Sequence, residues 1–500
     1  MSEWIQALVG CLQPMVLFYL GVGTVAGYII GILPGLSATM GVALLTPLTF
    51  WLPAEQGFAM LIGVFNAGIF SGGISAILIN TPGTPASIAT TFDGYAMTQQ
   101  GKAGLALGLN TIFSCIGGWL GTLVLIVAAF PLARFALKFG PAEFFALALF
   151  GLTMMISVSQ KSLLKGLVTG VFGMLLATVG SDPMYGVPRF TMGIVDIMDG
   201  ISFIPVMIGL FGLGEVLAQM FDGTSDDTKV SSVEMGRILP TRHEMLRCMP
   251  GSLITTVISV IIGAIPGTGG DIAGMIGWDQ SRKISKKPEE FGKGSIEGVA
   301  STCLANNACM GGALVTMMTL GVPGESISAV LLGSLMMYGM DPGPALFTEN
   351  RAFVLKFMVL MMLAYVVILI IGLASAKFSS HMLNIRKEII WLTILILCSI
   401  GAYSMNSSYV DLIVMAISGV VGFIFRKMDF PLGPIILGML LGKMAEANFR
   451  RAIPLGGNNF SLFYTKPICV ILLVLSVFSI VVPIYKQYKD KKRAADTANA

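Results

Sequence analysis

Charge is what this chain most conspicuously lacks. Only 12% of its 500 residues are Asp, Glu, Lys or Arg, while 55% are hydrophobic and the mean hydropathy is +0.83. No soluble domain hides that much apolar surface, so the composition points to an all-α, polytopic integral membrane protein. Histidine is almost missing: His243 and His381 lie in or beside polar connections and leave little material for a His-based metal centre or a catalytic triad. The seven cysteines (Cys11, Cys115, Cys248, Cys303, Cys309, Cys398 and Cys469) form no CxxC pair and read as small buried hydrophobes. Met1 to Gln13 carry one acid and no base, so no cleavable signal peptide is expected. An intramembrane aspartyl protease would need GxGD, and the nearest string is Thr268-Gly269-Gly270-Asp271. No enzymatic activity, cofactor or nucleic-acid partner is expected.

Glycine, by contrast, is plentiful at 60 of 500 residues, as in closely packed transmembrane helices. Gly23, Gly27 and Gly31 share one helix face, and Gly438/Gly442 repeats the spacing; both read as packing surfaces. The 32 methionines are spread through the spans as core filler. Apolar stretches of helical length run from 14–33 to 466–485, several of them short, such as 37–52, 267–278 and 325–340. About ten to thirteen full spans are expected, with the bilayer as solvent. The chain divides into a first transmembrane repeat (1–220), a polar linker (221–247), a second repeat (248–465) and a terminal helix with a basic tail (466–500). Arg282, Lys283, Lys286, Lys287 and Lys293, and the tail from Lys486 to Arg493, belong in the cytoplasm by the positive-inside rule.

Within this apolar sequence a short Pro-Gly vocabulary occurs twice. Pro34-Gly35 is answered by Pro266-Gly267, and Pro82-Gly83 by Pro323-Gly324. A helix breaker strips backbone groups of partners and is tolerated at membrane depth where they line a cavity or meet protein. Broken helices in matching positions of two halves indicate a transporter's binding site. Pro34 to Pro82 is 48 residues and Pro266 to Pro323 is 57, a difference the basic loop can absorb. The segment after Pro34-Gly35 ends at Trp51 without Lys or Arg, whereas its counterpart ends at Trp278 and the basic loop, so the repeats are inverted.

Polar residues gather at these breaks. Asn66, Ser71, Ser75, Asn80, Thr81, Thr84 and Ser87 surround the first, and Asn306, Asn307, Thr316, Thr319, Glu325, Ser326 and Ser328 the second. Half-helix N-termini offer unpaired N–H groups to an anion such as a carboxylate, while unwound carbonyls can hold Na⁺. Substrate is therefore expected at Pro34, Gly35, Asn66, Ser71, Ser75, Asn80 to Thr84, Ser87, Pro266, Gly267, Asn306, Asn307, Pro323, Gly324 and Ser326. The alternative for the Asn306-Asn307 pair is interhelical hydrogen bonding. Asp271, Thr319 and Glu325 are candidates for a coupling ion, with Na⁺ near Thr81, Thr319 and Glu325. Either carboxylate could ligate Na⁺ or take a proton, or simply cap the following half-helix. Asp93, Asp182 and Glu297 are weaker candidates because polar turns lie close by.

Three blocks resemble the large membrane subunit of the tripartite tricarboxylate transporters: GILPGLSATMGVALLTPLTF (31–50), SGGISAILINTPGTPASIATTFDGYAMTQQGKAG (71–104) and KKPEEFGKGSIEGVASTCLANNACMGGALVTMMTLGVPGES (286–326). The resemblance implies a cation-driven symporter for organic carboxylates in the bacterial inner membrane. It further implies a small membrane subunit of about four helices, a periplasmic substrate-binding protein and no nucleotide hydrolysis; a homodimer is admitted. Neither GxxxxGKS nor GxxxxGKT occurs. The family's substrate region would fall on Asn80 to Ser87 and Asn306 to Ser326. Thr302-Cys303 stands where the family usually has Pro-Glu, Thr316 where it has proline, and Glu325 where it has a small hydroxyl residue. A channel, an exporter or a membrane sensor for small organic anions is the alternative reading.

Overall fold

The computed structural model describes residues 2–33, 36–158, 163–182, 184–222, 235–379 and 387–498. Pro34 and Gly35, the first expected break, and residues 223–234 of the expected linker lie outside the described residues. The first repeat holds α1 (Ser2–Cys11), α2 (Pro14–Ile32), α3 (Ala38–Thr49), α4 (Ala54–Ile79), α5 (Ile88–Gln99) and α6 (Ala103–Ala136). It continues through α7 (Pro141–Val158), α8 (Leu163–Ala177), α9 (Phe203–Met207) and α10 (Gly214–Asp222). The second holds α11 (Arg242–Ala264), α12 (Gly269–Ile284), α13 (Ile296–Leu320), α14 (Ser326–Met337), α15 (Leu346–Glu349) and α16 (Arg351–Ser375). The chain ends with α17 (Lys387–Asn406), α18 (Tyr409–Lys427), α19 (Gly433–Leu455), α20 (Ser461–Thr465) and α21 (Pro467–Ala498). The only strands among the described residues, Gly180–Ser181 and Pro188–Arg189, pair antiparallel.

Nine described helices are long and apolar enough to cross a bilayer, and five shorter apolar helices accompany them, a range that brackets the expected span count. The protein is thus an all-α polytopic membrane protein. Helix ends follow local chemistry. Thr241 and Glu244 form a reciprocal cap on α11, with Thr241 N donating to Glu244 Oε2 at 2.7 Å and Glu244 N to Thr241 Oγ1 at 3.3 Å. Ser295 Oγ accepts from Gly298 N at the start of α13. The two longest-buried helices, α4 and α13, both stop in a left-handed residue, Asn80 (φ 57°) and Gly321 (φ 69°), the residue types that tolerate that conformation.

The repeats share one plan. In the first, Gly23, Gly27 and Gly31 of α2 lie against the main chain of Met60, Val64 and Gly68, so that any Cβ there would overlap the backbone of α4. α3 then returns antiparallel, Ala38 facing Gly68 and Thr49 facing Gly57. In the second, Gly263 of α11 packs on the Cys309 carbonyl, and α12 returns along α13, with Gly270 at Asn306 and Trp278 at Gly298. Gly438 and Gly442 likewise pack on α8 at Gly170 and Met174.

Relative direction is fixed by the third helix of each repeat. Phe353 and Phe357 of α16 stack near Phe58, Met361 meets Asn66 and Gly372 meets Phe70, so α16 runs parallel to α4. Gly117 and Gly121 of α6 abut Leu304 and Ala308, so α6 runs parallel to α13. Trp119 Nε1 donates to Met362 O at 3.1 Å and Cys115 Sγ to Tyr365 O at 3.3 Å, while Thr111 meets Gly372; α6 and α16 are therefore antiparallel. It follows that α4 and α13 oppose each other: the repeats are inverted.

Candidate functional site

The buried helices α4 and α13 are each followed by a dip back into the protein. After Asn80 the chain doubles back until Gly83 N donates to Gly72 O at 3.2 Å, then leaves as α5, where Thr98 Oγ1 reaches Ile77 O at 2.7 Å. Gly72 lies seven residues before Ile79, about 10 Å along the helix, so Gly83 is well inside the end of α4. A Cβ on Gly83 would strike the Gly31 carbonyl and stand 2.8 Å from Ser75 Oγ. In the second repeat a Cβ on Gly324 would strike the Gly263 carbonyl and stand 2.7 Å from Ala313 Cβ. Here the two breaks are joined directly, Gly267 N donating to Gly324 O at 2.7 Å. Only glycine allows these tips to close on one another.

The dip sorts the expected site residues by depth. Asn80 and Thr81 are exposed at its outer turn, and Thr81 Oγ1 donates to Ile79 O. Pro82 is half-buried, while Gly83, Thr84 and Ser87 are buried at the inner end, where the two hydroxyls are 3.1 Å apart. Ser75 Oγ and Ser71 Oγ bond to carbonyls of Gly72 and Gly27. Asn66 and Asn307 turn toward α16, Asn66 Nδ2 to Met361 Sδ and Asn307 Oδ1 to the Tyr365 hydroxyl, each at 3.5 Å. Thr319 donates to Val315 O, and no described hydrogen bond links it with Thr81 or Glu325. Thr90 of α5 meets Thr302 at 3.2 Å and Cys303 Sγ at 3.9 Å.

The two repeats meet at the first turn of α12. Gly270 faces Ala86 Cβ, and Gly274 faces Asn306 Oδ1 and the Ala86 carbonyl. At Gly269 two acids converge: Asp271 Oδ1 and Glu325 Oε2 stand 3.0 and 3.7 Å from where a Cβ would lie. The Gly270 amide hydrogen-bonds to the Glu325 carboxylate, and the Asp271 carboxylate accepts from its own amide and that of Ile272. Glu325 is also the N-cap of α14, with Ser328 Oγ accepting from its amide at 3.0 Å. Yet Glu325 Oε1 and Asn306 Oδ1 are shut off from solvent and accept no hydrogen bond from the described residues. Pro266, Pro323, Gly324 and the half-buried Ser326 complete this neighbourhood.

Sequence reasoning missed Tyr365, fully buried on α16 between Asn307 and Met310, because nothing local marks it. The three weaker acid candidates prove to be anchors. Asp93 Oδ1 accepts from the amides of Gly292, Gly294 and Ser295, and its Oδ2 from Trp278 Nε1 at 2.7 Å, which ties the basic loop to α5. Glu297 accepts from Arg247 and Ser285 at 2.9 and 2.6 Å. Asp182 joins Arg189, Glu446 and Arg450 beside the short strand pair. Two cavities, of about 700 Å³ beside Lys102, Arg247 and Lys293 and about 600 Å³ beside Asp199, Asn406 and Lys443, lie away from the breaks.

Inverted repeats whose re-entrant tips meet between long helices define a membrane carrier type of architecture. The chain belongs to the tripartite tricarboxylate transporter TctA family, which it matches over residues 17–437. It is a component of a tripartite tricarboxylate transporter. Among curated relatives, it is 33% identical over 481 residues to an uncharacterized 52.8 kDa protein in the TAR-I ttuC' 3' region of Agrobacterium vitis, covering 96% of this chain and 95% of that one. It is 29% identical over 232 residues to an uncharacterized protein in the TAR-II ttuC' 3' region of the same organism, covering 46% of this chain and 96% of the relative. No solved structure matches.

Proposed function

We propose that this chain is the permease subunit of a secondary transporter that imports organic carboxylates, tricarboxylate-like or dicarboxylate-like, by symport with Na⁺ or H⁺. Its partners are a small membrane subunit of about four helices and a periplasmic binding protein that delivers the acid. It resides in the bacterial inner membrane with the basic loop and C-terminal tail in the cytoplasm. Residues 1–220 and 248–465 move as parts of an alternating-access machine around the breaks.

One observation carries this reading. The 3-10 turn Pro85–Ser87 that leads into α5 meets the first turn of α12 well inside the protein, where Gly270 faces Ala86. The N–H groups and partial positive charge at the start of α5 suit a carboxylate, and the buried Thr84 and Ser87 add hydroxyl donors. Gly83, Thr84, Ser87 and the Gly267–Gly324 contact therefore form the substrate end, with Asn306 beside them.

The test is uptake of radiolabelled mono-, di- and tricarboxylates into proteoliposomes containing all three subunits, with and without Na⁺ and proton gradients. Saturable, gradient-dependent uptake of one acid that is lost in Gly83→Ala supports the proposal. Non-saturating flux indifferent to both gradients, or no flux of any acid, would replace it by a channel, exporter or sensor.

A further inference from the structure

We propose that Asp271 and Glu325 hold one monovalent cation between the first turns of α12 and α14. This deepens the carrier reading and names the place of its ion. The two acids reach the same spot from different segments, Asp271 Oδ1 and Glu325 Oε2 both within 4 Å of the Cβ position of Gly269. Capping does not account for both oxygens of Glu325. The carboxylate meets the Gly270 amide and caps the Ser328 amide, while Ser328 Oγ accepts from the Glu325 amide in return, and one carboxylate oxygen is left over. Oε1 is left in a place closed to solvent with no protein donor. Asn306, only 3% exposed, turns an equally unpartnered Oδ1 onto Gly274, one helical turn along α12 from Gly270.

A buried oxygen without a donor is costly, and two like charges in a water-poor site stay ionised only against a counter-charge. The half-helix N-termini supply part of it. Each is worth about half a positive charge, so α12 and α14 together offset about one of the two negative charges. About one negative charge remains, which a single monovalent cation balances and a divalent one overshoots. Divalent Ca²⁺ also demands about six to eight oxygen ligands, and no group of three or more His, Cys, Asp or Glu side chains suited to a metal occurs among the described residues.

The experiment is the thermal midpoint of the purified full-length chain in lipid nanodiscs, titrated with NaCl and with KCl against choline chloride at constant ionic strength. The wild-type chain should be stabilised by Na⁺ or K⁺ in a saturating manner that choline does not reproduce. In Glu325→Gln and in Asp271→Asn the half-saturating concentration should rise at least tenfold. Glu325→Ser keeps a good N-cap and removes the uncompensated carboxylate, so it should fold with a midpoint in choline no lower than that of the wild type and lose the cation response. A wild-type response no greater than that to choline overturns the proposal. So does a half-saturation unchanged in Glu325→Ser, or a response abolished in Glu325→Gln but intact in Asp271→Asn, which would deny the pairing. Gradient-dependent carboxylate uptake by a chain that shows no cation-specific stabilisation would sink the ion site while leaving the carrier reading in place.

Discussion

Single residues decide whether the re-entrant tips can close. Gly83→Ala or Gly324→Ala places a methyl group against a carbonyl of the neighbouring helix, and overpacking of this kind costs about 1–3 kcal/mol. Gly21→Ala, which meets nothing within 4 Å, should be neutral in the same measurement of thermal stability in detergent. Asn80 makes a different prediction. It is exposed and left-handed, so Asn80→Gly should be silent, whereas Asn80→Ala should cost about 1–2 kcal/mol through backbone strain. Uptake by Asn80→Ala per folded molecule should fall far less than in Gly83→Ala. Residue types alone make Asn80 look like the prime ligand of its cluster. Its distance from the inner tip depends on the chain doubling back by seven residues, which hydrophobicity does not encode.

At the scale of elements, most of the outline was legible. Pro-Gly pairs in apolar sequence have few physical meanings, so the positions of the Asn80–Ser87 and Gly321–Ser326 dips could be read directly. The half-length of α3, α12 and α14 was harder, because the short runs 37–52, 267–278 and 325–340 do not distinguish a tilted span from a half-helix. Tyr365 and Asp93 were out of reach because their partners are far away in sequence.

Arg189 grips Glu446 with two hydrogen bonds at 2.6 and 3.1 Å, and Arg450 binds Asp182. The Arg450 hydrogen bond, with help from the Tyr185 and Met184 amides, lowers the Asp182 carboxyl to about 2. A carboxyl depressed on folding stabilises above its ordinary value near 3.8 and loses that contribution as pH falls toward 2. Hydrogen exchange at Gly180–Arg189 should therefore be insensitive to this ion pair's titration between pH 5 and 8, once corrected for intrinsic rates. Arg450→Gln should raise exchange across that whole range, and exchange equal to wild type would show that the pair does not hold the strands.

For the whole molecule, the inverted repeats place the basic loop and the strand pair on opposite faces. α6 leaves the basic-loop side at Lys102, and three further passages, α7, α8 and the 203–222 segment, lead back to it. All seven cysteines are buried, so a membrane-impermeant thiol reagent should find little background. Tyr185→Cys should label in intact spheroplasts and Lys286→Cys only after lysis. The reverse pattern would invert the topology.

Pro34 and Pro266 are 232 residues apart, but Pro82 and Pro323 are 241 apart, so the second half carries nine additional residues, spread over the longer α12 and the 285–295 loop whose end Asp93 clasps. In the proposed carrier, identical halves related by a two-fold axis would make the inward-open and outward-open forms equal in energy. On the alternating-access reading proposed above, the clasped loop exists on one side only and is expected to bias the empty protein toward one orientation. Asp93→Asn should move that resting balance, read as the accessibility of a cysteine placed at Ser87 to reagent from either side, and an unmoved balance would show that the bias originates elsewhere.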